Sequence, residues 1–70
     1  MKWIDSSKRL PDYHKIVLVN CPVGEYNIPY LAFWHKDNQW FEFNPTSGNP
    51  PLYHEVSHWA EITEPKHTDE

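Results

Sequence analysis

The sequence predicts a small, β-rich α+β domain: a four-stranded antiparallel meander with a short helical turn at its N-terminus. Three observations lead there. Ile16, Val17, Leu18 and Val19 form an apolar, largely β-branched run that Pro22 closes. Two aromatic stretches, 28–35 and 40–43, flank the polar tip His35-Lys36-Asp37-Asn38-Gln39, which is the pattern of a hairpin. At the start, Asp5 or Ser6 supplies an N-cap and Leu10-Pro11 a stop, leaving room for one helical turn at most.

The elements follow in order. Trp3, Ile4 and Leu10 pack inward from the first turn, and Pro11-Asp12-Tyr13-His14 makes the next one. The first strand spans 15–21; its apolar run is continuous rather than alternating, so both faces should be covered. Residues 22–27, with Gly24, form a loop or hairpin turn. The second strand spans 28–35, with Pro29 near its beginning, where a missing donor is tolerated. Alternation puts Tyr30, Ala32 and Trp34 on one face and Leu31, Phe33 and His35 on the other. The third strand spans 40–43. Residues 44–51 hold three of the seven prolines and one of the two glycines, and form the long loop of the molecule. The fourth strand spans 56–62. Residues 1–63 make one compact domain, and 64–70 a polar, frayed tail.

Size and composition narrow the function. A chain of 70 residues lies near the lower limit for independent folding, and its eleven aromatics (Trp 4, Tyr 4, Phe 3) supply what a large aliphatic core would otherwise provide. A net charge of -4 with six scattered basic residues excludes the concentrated positive face of a nucleic-acid binder. Cys21 is the only cysteine, so no intrachain disulfide forms, which suits a reducing cytoplasm. The N-terminus has no apolar signal-peptide core, and no apolar run approaches the ~20 residues that span a bilayer. The expectation is a soluble, cytoplasmic protein with no membrane partner.

One motif competes with this reading. His54-Glu55-Val56-Ser57-His58 spells H-E-x-x-H, in which zinc hydrolases use a helix to bring two His to one face beside a general-base Glu. Here Pro50-Pro51 precede it, and Val56, Trp59 and Ile62 favour a strand. On a strand, His54 and His58 stand roughly 13 Å apart at ~3.3 Å per residue, too far to share one ion. Cys21 has no local base to activate it as a nucleophile. The expectation is a non-enzyme with no catalytic residues, no metal and no cofactor. A zinc hydrolase is the remote alternative.

The ends of the chain carry a resemblance. Trp3-Ile4, then Arg9-Leu10-Pro11, the strand at 16–19, the aromatic hairpin with Trp40, and Val56-Ser57-His58-Trp59 before Glu64-Pro65 form an ordered series. This series resembles domain of unknown function 551, a small family found mainly in bacteriophage and prophage genomes. The family pattern runs W-I-s-x-x-x-x-L-P near the start and v-t-H-W-m-p-L-P-e-P near the end. The resemblance covers nearly the whole chain. It departs at Ala60-Glu61-Ile62-Thr63, where the family usually has Met-Pro-Leu-Pro, and at the loop 44–51. It implies a phage or prophage origin and a compact domain, and it carries no established activity.

Together these features predict a phage-encoded accessory protein that binds a host protein, with a takeover or anti-defence role and a homodimer as a possible state. Trp34, His35, Trp40, Phe41, Phe43 and Tyr53, from the hairpin and the long loop, are the expected contacts. Trp3, Leu10, Pro11, His58 and Trp59 are expected to be structural: His58 bonds backbone near the first turn while Trp59 packs on Trp3, closing the two ends on each other. The alternative is a sponge that stacks a nucleotide or another small molecule between aromatics.

Overall fold

The computed structural model describes residues 2–62; Met1, Thr63 and the predicted tail 64–70 lie outside the described residues. Five strands form one antiparallel sheet: β1 (Ile4–Asp5), β2 (Val17–Val23), β3 (Tyr26–His35), β4 (Gln39–Glu42) and β5 (His58–Glu61). Their spatial order is β1-β5-β2-β3-β4. The predicted meander is therefore corrected. Strands β2, β3 and β4 do meander, but the last strand returns across the sheet to lie beside β2, a Greek-key order, with β1 added outside it.

At the predicted helical turn the chain makes one hydrogen-bonded turn and no helix. The carbonyl of Asp5 accepts from the backbone N–H groups of Lys8 (3.0 Å) and Arg9 (3.2 Å), closing a single turn. The Ser7 hydroxyl and backbone N–H donate to Asp5 Oδ1 at 2.7 and 2.9 Å, so Asp5 does act as a cap. Leu10-Pro11 stops propagation, and among the described residues no α-helix forms. Ile4 instead pairs with Trp59 and Asp5 with His58.

Strand β2 runs through Pro22, beyond the end the sequence predicts, because the β2–β3 hairpin is tighter than a loop. Val23 pairs with Tyr26 across the two-residue turn Gly24-Glu25, with Gly24 at φ +61° in the first central position. Counting from that hydrogen-bonded pair, Pro22 and Pro29 both turn their ring nitrogens away from the shared ladder. Strand β5 pairs only as far as Asn20 and β4 only from Ala32, so both prolines meet an open edge where no donor is needed. The β3–β4 hairpin matches expectation: Lys36-Asp37-Asn38 link His35 to Gln39, with Asn38 at φ +61° and its N–H on the His35 carbonyl at 2.9 Å.

The core lies on one face of the sheet. Ile4, Trp59, Val19 and Tyr30 form one cross-strand row, and Trp34 pairs with Trp40 in another. Two irregular segments cover this face in place of a helix. Leu52 and Val56 from the β4–β5 connection are buried in the core cluster, and Pro11 is buried too. Backbone bonds fasten this connection: Glu42 N–H to Pro50 O (2.9 Å), Leu52 N–H to Trp40 O (2.9 Å) and Ser57 N–H to Asn20 O (3.0 Å).

The two ends of the chain do meet, by different contacts from those expected. Trp59 is 1% exposed, and its indole N–H donates to the Arg9 carbonyl at 2.8 Å while the Arg9 guanidinium lies 5.7 Å from the ring. Its cross-strand neighbour is Ile4, not Trp3, because alternation turns Trp3 to the opposite face, where it stays 43% exposed. Among the described residues His58 bonds no backbone group; its Nδ1 lies 3.0 Å from Ser57 Oγ. The backbone link to the first turn comes from Ser6, whose N–H donates to Ser57 O at 3.0 Å and whose hydroxyl reaches Val56 O at 2.7 Å.

Two predictions follow for stability. Trp59→Phe keeps most of the buried ring but leaves the Arg9 carbonyl unpartnered, and should cost about 1–2 kcal/mol in denaturant unfolding, or roughly 4–15 °C in melting temperature for a domain of this size. Hydrogen bonds from the Ser7 hydroxyl and then the Ser7 N–H hold the Asp5 carboxyl below the usual carboxylate range. A folded-state pKa below the unfolded one adds stability that is present above the unfolded value and is lost as pH falls through the folded value. The stability gap between wild type and Asp5→Asn, measured by urea titration, should therefore be constant near neutrality and shrink below about pH 4.

Candidate functional site

The second face of the sheet is apolar as well. The register aligns Ala60, Leu18 and Leu31 in one row, and Phe43 joins it through its N–H on the Leu31 carbonyl at 2.7 Å. Phe33 pairs with Phe41 on this face, their rings stacked at 5.8 Å. Ile16 and Ile62 flank the same rows and line a hollow with Phe43 and Lys15. His14 and His35 form the rim: their rings lie 4.9 Å apart, and His35 meets Phe41 at 5.2 Å. His14 holds φ +64°, and its N–H donates to the Trp34 carbonyl at 2.9 Å, anchoring the 12–15 segment beside β3. Leu31, Phe43 and Ile62 are 43, 39 and 40% exposed. The continuous apolar run that leads into β2 thus serves two faces, and among the described residues the irregular segments cover only one, where the sequence predicts cover on both.

The six expected contact residues divide into three groups. His35, Phe41 and Phe43 belong to the open face. Trp40 does not: it is 8% exposed in the core, with Trp34 edge-on at 5.2 Å, so Trp40 is a packing residue. Alternation decides this, since Trp40 is adjacent to Phe41 and must point the other way. Trp34 and Trp40 form the floor of a cleft of about 410 Å³ that opens on the covered face, with Gln39, His54 and Glu55 on its walls. Gln39 Nε2 is held by the carbonyls of Trp40 (2.9 Å) and Leu52 (3.2 Å). Tyr53, 87% exposed, stands apart on the β4–β5 connection. Leu31 and Phe33 lie on the open face too, where alternation within 28–35 puts them beside His35.

The H-E-x-x-H segment is neither helical nor one strand. Residues 54–57 are irregular, and only His58 enters β5. His54 stacks on Tyr30 at 5.9 Å, on the covered side, while His58 lies on the open face beside Asn20. Among the described residues, no three His, Cys, Asp or Glu side chains come together as a metal would need. Cys21 is buried in the core, and burial pushes its thiol up, away from the reactive thiolate. No helix of the described residues is long and apolar enough to cross a membrane.

At the far end of the open face, polar side chains replace apolar ones. Asn20 Nδ2 donates to Asn27 Oδ1 (3.2 Å) and to Ser57 Oγ (2.9 Å). Trp3, Asn20, Asn27 and His58 line a cleft of about 320 Å³ there.

Neither the comparison with curated proteins nor that with solved structures finds a match. The family model described as "Protein of unknown function (DUF551)" matches residues 2–67, a span that takes in both the Ile4–Asp5 strand and the Trp59 strand that pairs with it. The chain belongs to this family.

Proposed function

We propose that this domain is a phage- or prophage-encoded accessory protein that acts by docking a host protein on the open face of its sheet. The observation that carries the reading is the apolar second face, with Leu31, Phe33, Phe41 and Phe43 at its centre and His35 at its rim. Single exposed apolar residues are ordinary on a surface, whereas a contiguous aromatic patch suits a partner's anchor residues. The phage setting comes from the series of motifs in the sequence, and a buried, protonated cysteine without a disulfide suits a host cytoplasm. A takeover or anti-defence role fits a small protein that acts by occupying a partner.

Size sets the kind of contact. Four strands ~4.8 Å apart, each contributing a few residues at ~3.3 Å, make a footprint on the order of 400 Å². A stable interface buries about 800 Å² on each partner. The flat centre is therefore half a standard interface, and the contact extends over the rim at His14 and His35 or remains transient.

The test compares tagged wild type with Leu31→Asp/Phe43→Asp on the open face and Tyr26→Ala on the other, in capture from host extract followed by binding of the purified partner. Tyr26 is 74% exposed, whereas Leu31 and Phe43 keep 43 and 39% exposure, so unfolding midpoints are measured beside binding to separate a lost contact from a lost fold. The expected result is one protein bound by wild type and by Tyr26→Ala, and at least about 100-fold more weakly by the double variant, as loss of an anchor of ~3 kcal/mol implies. Equal binding by the double variant sinks the reading. So does a wild-type homodimer that the double variant breaks, because the face is then covered by a second copy.

A further inference from the structure

The polar end of the open face has no part in that docking reading. The register places Asp5, His58 and Asn20 side by side across β1, β5 and β2, and the diagonal from Asn20 leads to Asn27 on β3. Asn20 spends both amide hydrogens inside the protein, on Asn27 Oδ1 and Ser57 Oγ. Ser57 Oγ in turn lies 3.3 Å from the Asn20 carbonyl and 3.0 Å from His58 Nδ1. The network fixes three side chains and leaves each with a group bonded to no other described residue: the Asn20 amide oxygen, the Asn27 amide NH₂ and His58 Nε2. Beside them stands the half-exposed indole of Trp3, the fourth wall of the cleft.

A carboxamide oxygen, a carboxamide NH₂ and an imidazole nitrogen, held in place next to an indole, match a flat ring whose edge alternates donors and acceptors. Amide side chains read nucleobase edges in this way, and indole faces stack on the rings. Holding the side chains in position before binding removes much of the ordering cost that a small ligand otherwise meets. A cleft of about 320 Å³ is at the small end of ligand sites and suits a base or nucleoside. Charge narrows the class further. Among the described residues no Lys or Arg lines the cleft, and the charges beside it, the Asp5 carboxylate and the Lys8 ammonium within Coulombic reach of it, offset each other, so a phosphate group finds no cation in the cleft wall.

We propose that this cleft binds an uncharged planar heterocycle of the nucleobase or nucleoside type, with Trp3 stacking on the ring and Asn20, Asn27 and His58 reading its edge. The site is independent of the aromatic patch and of the partner it docks.

Titration calorimetry with the four common ribonucleosides, their free bases and their 5′-monophosphates tests this. Nitrogen-15 NMR spectra of the same titrations locate the contact. Saturable binding of at least one nucleoside or base is expected, with its monophosphate bound more weakly and shifts centred on the Trp3 indole N–H, Asn27 and His58. Asn27→Ala, at an exposed position that leaves the core intact, should weaken binding about tenfold, as one hydrogen-bonding amide implies. Trp3→Leu should abolish it. Absence of saturable binding across the panel overturns the proposal. So does binding that Asn27→Ala leaves unchanged, or a monophosphate bound more tightly than its nucleoside. Leu31→Asp/Phe43→Asp should bind the nucleoside like wild type, which separates this site from the docking face.

Discussion

Trp59 sits where the molecule is stitched together. Its strand inserts between β1 and β2, its ring is buried against Val19 and Ile4, and its indole N–H closes on the Arg9 carbonyl. Burying a ring of this size removes ~150–250 Å² from water, a gross gain of about 4–6 kcal/mol at ~25 cal/mol/Å². Few single groups in so small a domain can contribute as much. The hydrogen bond adds position to that gain, because it ties the turn after β1 to the last strand. The irregular segments that cover the core depend on this arrangement: Ser6 bonds Ser57, and Ser57 bonds Asn20, only when β5 is in place.

Covering one sheet face with loops rather than a helix has consequences for the other. A chain this short has two long irregular segments, and both are used on the side of Val17, Val19, Trp34 and Trp40. Nothing comparable remains among the described residues for the side of Leu31, Phe33, Phe41 and Phe43. The even spacing of strand side chains then sorts the aromatics without regard to their chemistry. Trp40 becomes core and Phe41 becomes surface, though they are neighbours in sequence. Function on the open side therefore rests on parity as much as on composition.

That open side is itself divided. Toward β4 it is aromatic; toward β1 and β5 it carries Asn20, Asn27, Ser57 and His58 in one hydrogen-bonded set. Asn20 interrupts the most apolar strand of the protein, and it can do so because its partners are supplied from β3 and from the residue before β5. The prolines at 22 and 29 confine the hairpin that carries Asn27, since their ring nitrogens keep both open edges from accepting further strands.

Much of this was legible in the sequence. The β-branched run at 16–19, the His35–Gln39 tip and the Leu10-Pro11 stop located β2, the second hairpin and the end of the first turn, because these are local preferences of backbone and side chain. The same local chemistry argued against a helix at His54–His58. The terminal motifs marked the segments around Ile4 and Trp59, which prove to pair, without saying how. Register and strand order were not legible. Whether β5 lies beside β4 or beside β2 depends on which edge the Trp59 ring can bury against, a contact between residues about fifty positions apart. Whether Trp40 or Phe41 faces water depends on which side the loops close, and only the packed molecule decides that. Where the chain extends and turns follows from the energies of neighbouring residues, and those can be read along the chain. Which face is core, which aromatics are exposed and which polar groups meet follow from the energies of distant segments, and those exist only once the strands are in contact.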